Sequence, residues 1–312
     1  MPFNNEILEK ATKEMTVQSV GSDFEIAQEL ITRAIENIAG YNGNVMPDAV
    51  DIYLHGSYAN KTNTYFASNM EIMVELKRTL RYNPADFPHA KYALYNNYFV
   101  ETVFDFNPVD FKNLLFEELH KLTDGKVEMQ SKWIKIVPHG DIKHKIEITP
   151  SFLFNFVEAG GTAKEKIFGG VLLFDDRVGA HIVSFPKLHA SNGRGKNIAT
   201  GGMFLKMVRL FKTINKIGIR ESEFGKTRGY FVECLLFNVP NNVYIASTTE
   251  EAFYKVLNYL GHVDLVGFAS QNLVWQLFGE TAEFWNVDSA RKFITNVKKL
   301  HDTFPVSRTQ LV

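Results

Sequence analysis

The chain has a single cysteine, almost no net charge and no long apolar run in its 312 residues. A lone Cys234 excludes a disulfide framework and a multi-cysteine metal site, and it is compatible with a reducing cytosol. A net charge of −1 leaves no broad basic surface for long DNA or RNA. No apolar stretch approaches the roughly 20 residues that span a bilayer. These absences predict a soluble cytoplasmic protein without a membrane partner or a long nucleic acid partner.

The pattern of the remaining residues predicts two lobes. Alternating strands and helices in the first half indicate an α/β (α+β) lobe with a mixed sheet, and long amphipathic runs in the second half indicate helices. We therefore expect a catalytic lobe over residues 1–160 and a mainly helical lobe over residues 161–312. Cys234 lies in the apolar run "FVECLLFNVP" and is expected to be a buried small hydrophobe.

Local patterns place the individual elements. Short apolar runs predict strands, and Pro150 is expected to end one of them because proline lacks the N–H that a central strand donates. The polar stretch from residue 186 to 202 is expected to be a loop. The predicted elements are one or two helices over residues 5–40, strands "AVDIYLH" and "NMEIMVEL", a helix Pro108–Leu122, strands Lys132–Pro138 and His144–Phe154, and helices from Met203 onward.

The stretch "HGSYANKTNTYFASNMEIMVEL" is the most informative part of the chain. Gly56 and Ser57 follow a strand, where glycine lets backbone N–H groups approach a phosphate. Asn69 and Glu71 are two residues apart on the next strand, so they project to the same side. Glu147 is an isolated acid between two isoleucines on a later strand. Carboxylates that converge in this way can hold the divalent cations of a nucleotidyl transfer.

Each of these features also has an ordinary structural interpretation. A Gly-Ser pair after a strand is usually only a turn, and an acid on an alternating strand usually faces solvent. The helix "MFLKMVRLFKTINK" carries Lys206, Arg209, Lys212 and Lys216 on about a third of its circumference. Such a face is either an ordinary solvated surface or a clamp for phosphates. Tyr230, at the start of the next helix, is either a core residue or a ring that stacks on a base.

Five segments occur in the order found in a known family. These are "HGSYANKTN", "SNMEIMVEL", "KIEITPSF", "KNIATGGMFLKMVRLFK" and "GYFVECLLFNVPN". With them the chain resembles the bacterial cGAS/DncV-like nucleotidyltransferases (CD-NTases) of the polymerase-β-like superfamily, over about residues 20 to 245. The resemblance implies a bilobal fold that joins two nucleoside triphosphates (ATP, UTP or GTP) into a cyclic dinucleotide with Mg²⁺. It also implies that the product activates a separate effector protein in anti-phage defence.

The resemblance assigns roles to individual positions. It implies that Gly56 and Ser57 contact phosphate, and that Asn69, Glu71 and Glu147 form the catalytic metal site. It implies that Lys212 contacts a triphosphate, with Lys206 on the same basic face, and that Tyr230 stacks on a base. The segment "HASNGRGKN" matches a region near the bound bases, which makes Asn192 and Asn197 candidates for base contacts.

Four positions depart from the family pattern. Glu71 and Glu147 stand where the family usually has aspartate, and Gly229 stands where it has a phosphate-contacting serine. Asn69 replaces a further aspartate, and its amide oxygen can bind Mg²⁺ but adds no negative charge. Two hypotheses therefore stay open: a cyclic dinucleotide synthase with an atypical metal site, for which Mn²⁺ is a possible alternative cation, and a catalytically weakened protein that binds a nucleotide or a partner.

Overall fold

The computed structural model describes residues 11–12, 21–64, 69–77, 106, 108–158, 166–220, 227–279 and 284–303. The chain divides into two compact units. The sheet unit comprises Thr16–Tyr58 and Asn69–Lys187, and the helical unit comprises Met1–Met15, Ala59–Ser68 and Leu188–Val312. The domain boundary expected after residue 160 stays a prediction; the sheet continues past that point to Ser184.

A mixed sheet forms the body of the sheet unit. The elements up to β7 are α1 (Gly21–Tyr41), a 3-10 turn (Pro47–Ala49), β1 (Val50–His55), α2 (Gly56–Ala59), β2 (Met70–Leu76), α3 (Pro108–Leu122), β3 (Val127–Met129), β4 (Ile134–Ile136), β5 (Ile146–Glu158), β6 (Lys166–Asp175) and β7 (Ala180–Ser184). In the described residues the strands run in the order β1-β2-β5-β4-β3, while β6 pairs with the later part of β5 and β7 pairs with β6. Strands β2 and β5 are parallel, and the other described pairs are antiparallel.

One face of this sheet is apolar and forms the core of the unit. Side chains of a strand alternate between its two faces, so every second residue of β2 and β5 lies on this side. Helix α3, which starts and ends where the sequence predicts, contributes Phe111, whose ring lies 5.8 Å from that of Phe152 on β5. The buried residues of the face are Met70, Ile72, Val74, Leu76, Ile134, Ile136, Ile146, Ile148 and Phe152.

Strand β5 does not end at Pro150, so that prediction is wrong. Pro150 lies opposite Val74 of β2, and the strand continues to Glu158. On its other edge, β4 pairs with β5 only as far as Ile148, and β6 begins to pair at Phe152. Pro150 therefore lies in the gap between two partner strands, where the missing N–H breaks no ladder.

Helices make up the second unit. Its main elements are α4 (Pro186–Ala199), α5 (Met203–Arg220), α6 (Gly229–Phe237), a 3-10 turn (Asn241–Tyr244), α7 (Thr249–His262) and α8 (Val287–Thr303), the first two residues of α4 belonging to the sheet unit. Helix α6 is buried on all sides from Phe231 to Leu236, which confirms the expected burial of Cys234. In the described ranges, no helix is both long and apolar enough to cross a membrane.

Helix α4 occupies most of residues 186–202, where the sequence predicts a loop, so that prediction is also wrong. Pro186 stands at its first position, where the missing N–H costs no helical bond. The chain leaves the helix through Gly201 and Gly202, whose φ angles are +58° and +86°. Interior glycines disfavour a helix, but a Cβ at Gly193 would lie 2.5 Å from the Gln271 side chain. Packing against Gln271 therefore requires glycine at position 193, and glycine is also one of the residues that make this segment resemble a loop.

The aromatic contact beneath the sheet makes a first prediction. Phe152→Ala removes a side chain that is 1% exposed, and we expect a loss of about 3–5 kcal/mol in the free energy of unfolding, measured by guanidinium titration. The control Val178→Ala, at a position that is 66% exposed, should change it by less than about 0.5 kcal/mol. Equal effects of the two substitutions would contradict the assignment of this core.

Candidate active site

The polar face of the sheet carries the predicted acids in one row. Strand register pairs His55 with Glu71, Glu71 with Glu147, and Glu147 with Lys135. Residues that are paired across neighbouring strands project to the same face with their Cβ atoms about 4.5–5.5 Å apart. The two carboxylates therefore lie side by side, as a shared cation site requires, and not on opposite faces of the sheet. We call these four residues the glutamate row.

Asn69, the residue just before β2, lies beside the glutamate row. Its side chain is exposed, and its Nδ2 donates a hydrogen bond to Oε1 of Glu147. The structure thus brings together the three residues that the sequence proposed for the metal site. The amide meets Glu147 through its N–H and not through its oxygen, so in this arrangement it acts as a donor to the carboxylate.

The Gly56–Ser57 turn lies against the carboxylate of Glu71. The backbone N–H of Ser57 points at Oε2 of Glu71 over 3.4 Å. Gly56 has a φ of +65°, and a Cβ on this residue would lie 1.7 Å from the same oxygen. Among the described residues, Ser57 Oγ and His55 Nε2 are buried without a hydrogen-bond partner. The close approach of backbone and carboxylate therefore depends on glycine.

Burial shifts the pKa values of two groups in the glutamate row. Burial raises the pKa of Glu147 above its usual range, and the Asn69 hydrogen bond and the charges of Lys135 and Lys145 only partly oppose it. Burial also lowers the pKa of His55 to about 4, so its imidazole is neutral at pH 7. The row therefore combines a neutral imidazole with a carboxyl group that holds its proton more tightly than an ordinary glutamate.

The donor set favours a hard divalent cation. In the part of the chain that the structure describes, no three His, Cys, Asp or Glu side chains cluster to hold a metal ion. A cation at this place would be bound by Glu71, Glu147 and the amide oxygen of Asn69. Oxygen donors without sulfur or imidazole suit Mg²⁺ or Mn²⁺ better than Zn²⁺. The residues fit such an ion, although with one negative charge fewer than three carboxylates would supply.

Glu75, a further acid on the same face, has a different environment, which the sequence did not indicate. Glu75 is 2% exposed and accepts a hydrogen bond of 2.6 Å from the Tyr53 hydroxyl. Lys187 lies 2.8 Å from the Glu75 carboxylate and 4.5 Å above the Tyr53 ring. Burial, and then Glu75, raise the pKa of Tyr53 far above its usual value. Glu75 is therefore already paired with Lys187 of its own chain, whereas a carboxylate that binds a metal ion must be available to it.

In the helical unit, Lys212 is buried instead of solvated. It is 8% exposed, and its Nζ donates to the Glu233 carboxylate and, over 2.9 Å, to Thr62 Oγ1. Arg209 is also buried, whereas Lys206 is exposed. The predicted basic face of α5 is thus only partly a surface. Sequence reasoning missed Glu233, although a lone acid in the apolar run of α6 was a visible signal.

The other predicted nucleotide-binding residues also lie in this unit. Tyr230 is 39% exposed and stacks on His189, with ring centroids 5.1 Å apart. Asn192 donates to the Gln271 carbonyl over 2.8 Å, and Asn197 accepts from the Leu205 N–H over 3.1 Å in the first turn of α5. The two asparagines make contacts that hold the unit together, and their part in base recognition stays a prediction.

Comparison with known proteins identifies relatives of this chain. Residues 191–302 match the model of the cGAS/DncV-like nucleotidyltransferase C-terminal helical domain. The chain is 30% identical to a cyclic nucleotide synthase of Staphylococcus haemolyticus over 80% of its own length and 84% of the relative's. It is 27% identical to a cyclic UMP-AMP synthase of Rhodothermus marinus over 78% and 82%. The solved Rhodothermus marinus structure with Apcpp and Upnpp superposes with a TM-score of 0.78 at 23% identity, covering 98% of this chain and 99% of that one.

The turn beside Glu71 yields a test with a matched control. Gly56 and Gly140 both have positive φ, but nothing lies within 4 Å of a Cβ at Gly140. Gly140→Ala should therefore cost only the strain of its backbone, about 1–2 kcal/mol. Gly56→Ala must also displace the Glu71 carboxylate, so we expect a clearly larger loss in the free energy of unfolding by guanidinium titration. Equal losses would show that Glu71 does not lie against the turn.

Proposed function

Because this chain belongs to the cGAS/DncV-like nucleotidyltransferase family, we propose that it joins and cyclises two nucleoside triphosphates into a cyclic dinucleotide. The observation that carries the proposal is the glutamate row, in which Glu71 and Glu147 are paired across β2 and β5 and Asn69 contacts Glu147. The 30% sequence identity to the Staphylococcus haemolyticus cyclic nucleotide synthase, in an alignment that covers 80% of the chain, supports the same activity.

The reaction proceeds through two transfers of the same kind. In each, a ribose 3′-hydroxyl oxygen forms a bond to an α-phosphorus, the bond from that phosphorus to the bridging oxygen breaks, and pyrophosphate leaves with the electron pair. The hydroxyl proton passes to a base. Glu71, Glu147 and Asn69 would hold Mg²⁺, which would supply positive charge to offset the negative charge that develops on the reacting oxygens.

The chain's own residues would hold the metal ion and the reactants. Burial raises the pKa of Glu147 above its usual range, so a cation bound there would offset the cost of burying its charge. Ser57 Oγ, which is buried without a partner among the described residues, can donate to a phosphate oxygen. Lys212 and Lys206 would contribute positive charge to the triphosphate, and Tyr230 an exposed ring for a base.

We infer ATP as one substrate and UTP or GTP as the other. The Rhodothermus marinus relative is a cyclic UMP-AMP synthase, and its solved structure contains Apcpp and Upnpp, which supports an adenine and a uracil nucleotide. A cyclic dinucleotide with no free terminal phosphate is suited to act as a diffusible signal. We therefore propose that the product activates a separate effector protein in anti-phage defence.

A product assay tests the proposed function. The protein is incubated with the four ribonucleoside triphosphates, one labelled with ³²P at the α-position at a time, with Mg²⁺ and separately with Mn²⁺. We expect a labelled product that survives phosphatase and that falls at least about 100-fold in Glu71→Gln, a loss of roughly 2.7 kcal/mol in transition-state stabilisation. The control Glu29→Gln, an exposed acid of α1, should retain full activity. Nucleotide binding without product under both metals would instead support the weakened binding protein.

Restoring the missing charge tests the role of Asn69. Asn69→Asp places a third carboxylate beside Glu147 and should strengthen cation binding. We expect product formation with Mg²⁺ to rise by roughly tenfold, equivalent to about 1.4 kcal/mol of barrier, with a lower Mg²⁺ concentration at half-maximal rate. Asn69→Ala, which removes the amide oxygen, should reduce the rate. Equal rates in all three proteins would show that residue 69 is not part of the metal site.

A further inference from the structure

Glu233 is a buried acid at the centre of a polar cluster in the helical unit. It is 3% exposed, and each of its carboxylate oxygens accepts two hydrogen bonds. Oε1 accepts from Lys212 Nζ and, over 2.7 Å, from Thr62 Oγ1. Oε2 accepts from His189 Nε2 over 2.8 Å and from Asn60 Nδ2 over 2.9 Å. This carboxylate therefore connects three separate segments of the chain to α6.

The core does not by itself require a charge at this position. Val232, Cys234 and Leu235, its neighbours on α6, are apolar and fully buried. Burial alone would raise the pKa of Glu233, but the charge of Lys212 and the hydrogen bond from His189 hold it well below the usual range. An ion pair of this kind often stabilises a fold no more than apolar side chains of the same volume. The ion pair is therefore weak evidence that Glu233 serves the stability of the fold.

One arm of the cluster fixes the position of Lys212. Its ammonium group donates to Glu233 and, over 2.9 Å, to Thr62 Oγ1. Its contact with the Thr62 carbonyl is long, at 3.4 Å, so the third hydrogen can be given to a phosphate oxygen. Gly229 leaves the room for this: a Cβ there would lie 2.8 Å from Lys212 Cε. The proposed triphosphate lysine is thus held in one place and is not a mobile surface side chain.

The other arm fixes the plane of an aromatic ring. A carboxylate is only an acceptor, so Nε2 of His189 must carry the hydrogen, and this contact orients the imidazole. The His189 ring stacks on Tyr230 with an angle of 28° between the planes. Tyr230 remains 39% exposed, as a ring that receives a base must. The orientation of Tyr230 therefore depends on Glu233 through His189, as well as on the Asn272 amide, which donates to the Tyr230 hydroxyl over 3.4 Å.

We propose that Glu233 is a positioning residue for nucleotide binding, an inference that rests on the proposed function. A single carboxylate holds Lys212 for the phosphates and, through His189, holds Tyr230 for a nucleobase. Loosening this carboxylate weakens recognition of both parts of a nucleotide. Loosening Lys212 or Tyr230 alone weakens recognition of only one part.

Competition against a fluorescent ATP analogue separates the two parts on the full-length protein. The competitors are inorganic tripolyphosphate, which has no base, and adenosine, which has no phosphate. In Glu233→Gln, which keeps the size of the side chain but removes its charge, we expect the inhibition constants of both to rise about tenfold, equivalent to about 1.4 kcal/mol each. Lys212→Gln should raise only the inhibition constant of tripolyphosphate, and Tyr230→Leu should raise only that of adenosine.

A second buried acid provides the matched control. Glu118 is 4% exposed and accepts hydrogen bonds from Asn37 and Tyr41 in the sheet unit. Glu118→Gln should lower the melting temperature but leave both inhibition constants unchanged. The proposal is overturned if Glu233→Gln binds both competitors as the wild type does, or loses only one. It is also overturned if Glu118→Gln shows the same loss of binding at a similar melting temperature.

A variant of His189 keeps the proposal testable if Glu233→Gln does not fold. His189→Phe preserves a ring beneath Tyr230 but removes the hydrogen bond to Glu233. This substitution should weaken the binding of adenosine and leave the binding of tripolyphosphate unchanged. Unchanged adenosine binding overturns the inference. A wild-type protein that binds neither competitor and yields no cyclic product would overturn the proposed function itself. A wild type that binds both, alongside variants that do so equally well, would overturn only the role of Glu233.

Discussion

The parallel pairing of β2 with β5 is the constraint on which the proposed active site depends. Because side chains alternate along a strand, a slip of one residue would move Glu147 to the opposite face from Glu71. The apolar face prevents such a slip: Ile72 is paired with Ile148, and both are fully buried beneath the sheet. The packing of α3 against one face therefore holds the carboxylates in register on the other.

The surroundings of Glu233 and Glu147 shift the pKa values of these two acids in opposite directions. Glu233 is surrounded by donors of its own chain, and the charge of Lys212 keeps its pKa low despite burial. The surroundings of Glu147 instead raise its pKa, because two lysines and an amide only partly offset its desolvation. The first acid is thus satisfied within the fold, whereas the second is held at a cost. A carboxylate held in this way gains more from an added cation or proton than one that is already neutralised.

The departures from the family pattern acquire a physical meaning in the structure. Gly229 is the position where a Cβ would meet Lys212, so the absence of a serine there accompanies a buried lysine. Asn69 meets Glu147 through its N–H, which partly replaces the attraction that a cation would provide. Both changes therefore concern how the site is held as well as what it binds.

The sequence by itself determined the features that depend on local periodicity. Alternation along β2 placed Asn69 and Glu71 on one side, amphipathic spacing predicted α3 from Pro108 to Leu122, and an apolar run predicted the burial of Cys234. The order of five motifs was enough to identify the family. These features are readable because each depends on residues a few positions apart.

Only the tertiary structure decided which distant residues meet. It placed Glu147 beside Glu71, provided the gap between β4 and β6 that accommodates Pro150, and packed Gly193 against Gln271 so that a polar stretch became α4. It also gave Lys212 a buried partner in Glu233, where the helical pattern indicated a basic surface. Strand register and side-chain packing set these contacts between residues far apart in the chain, and no local pattern records them.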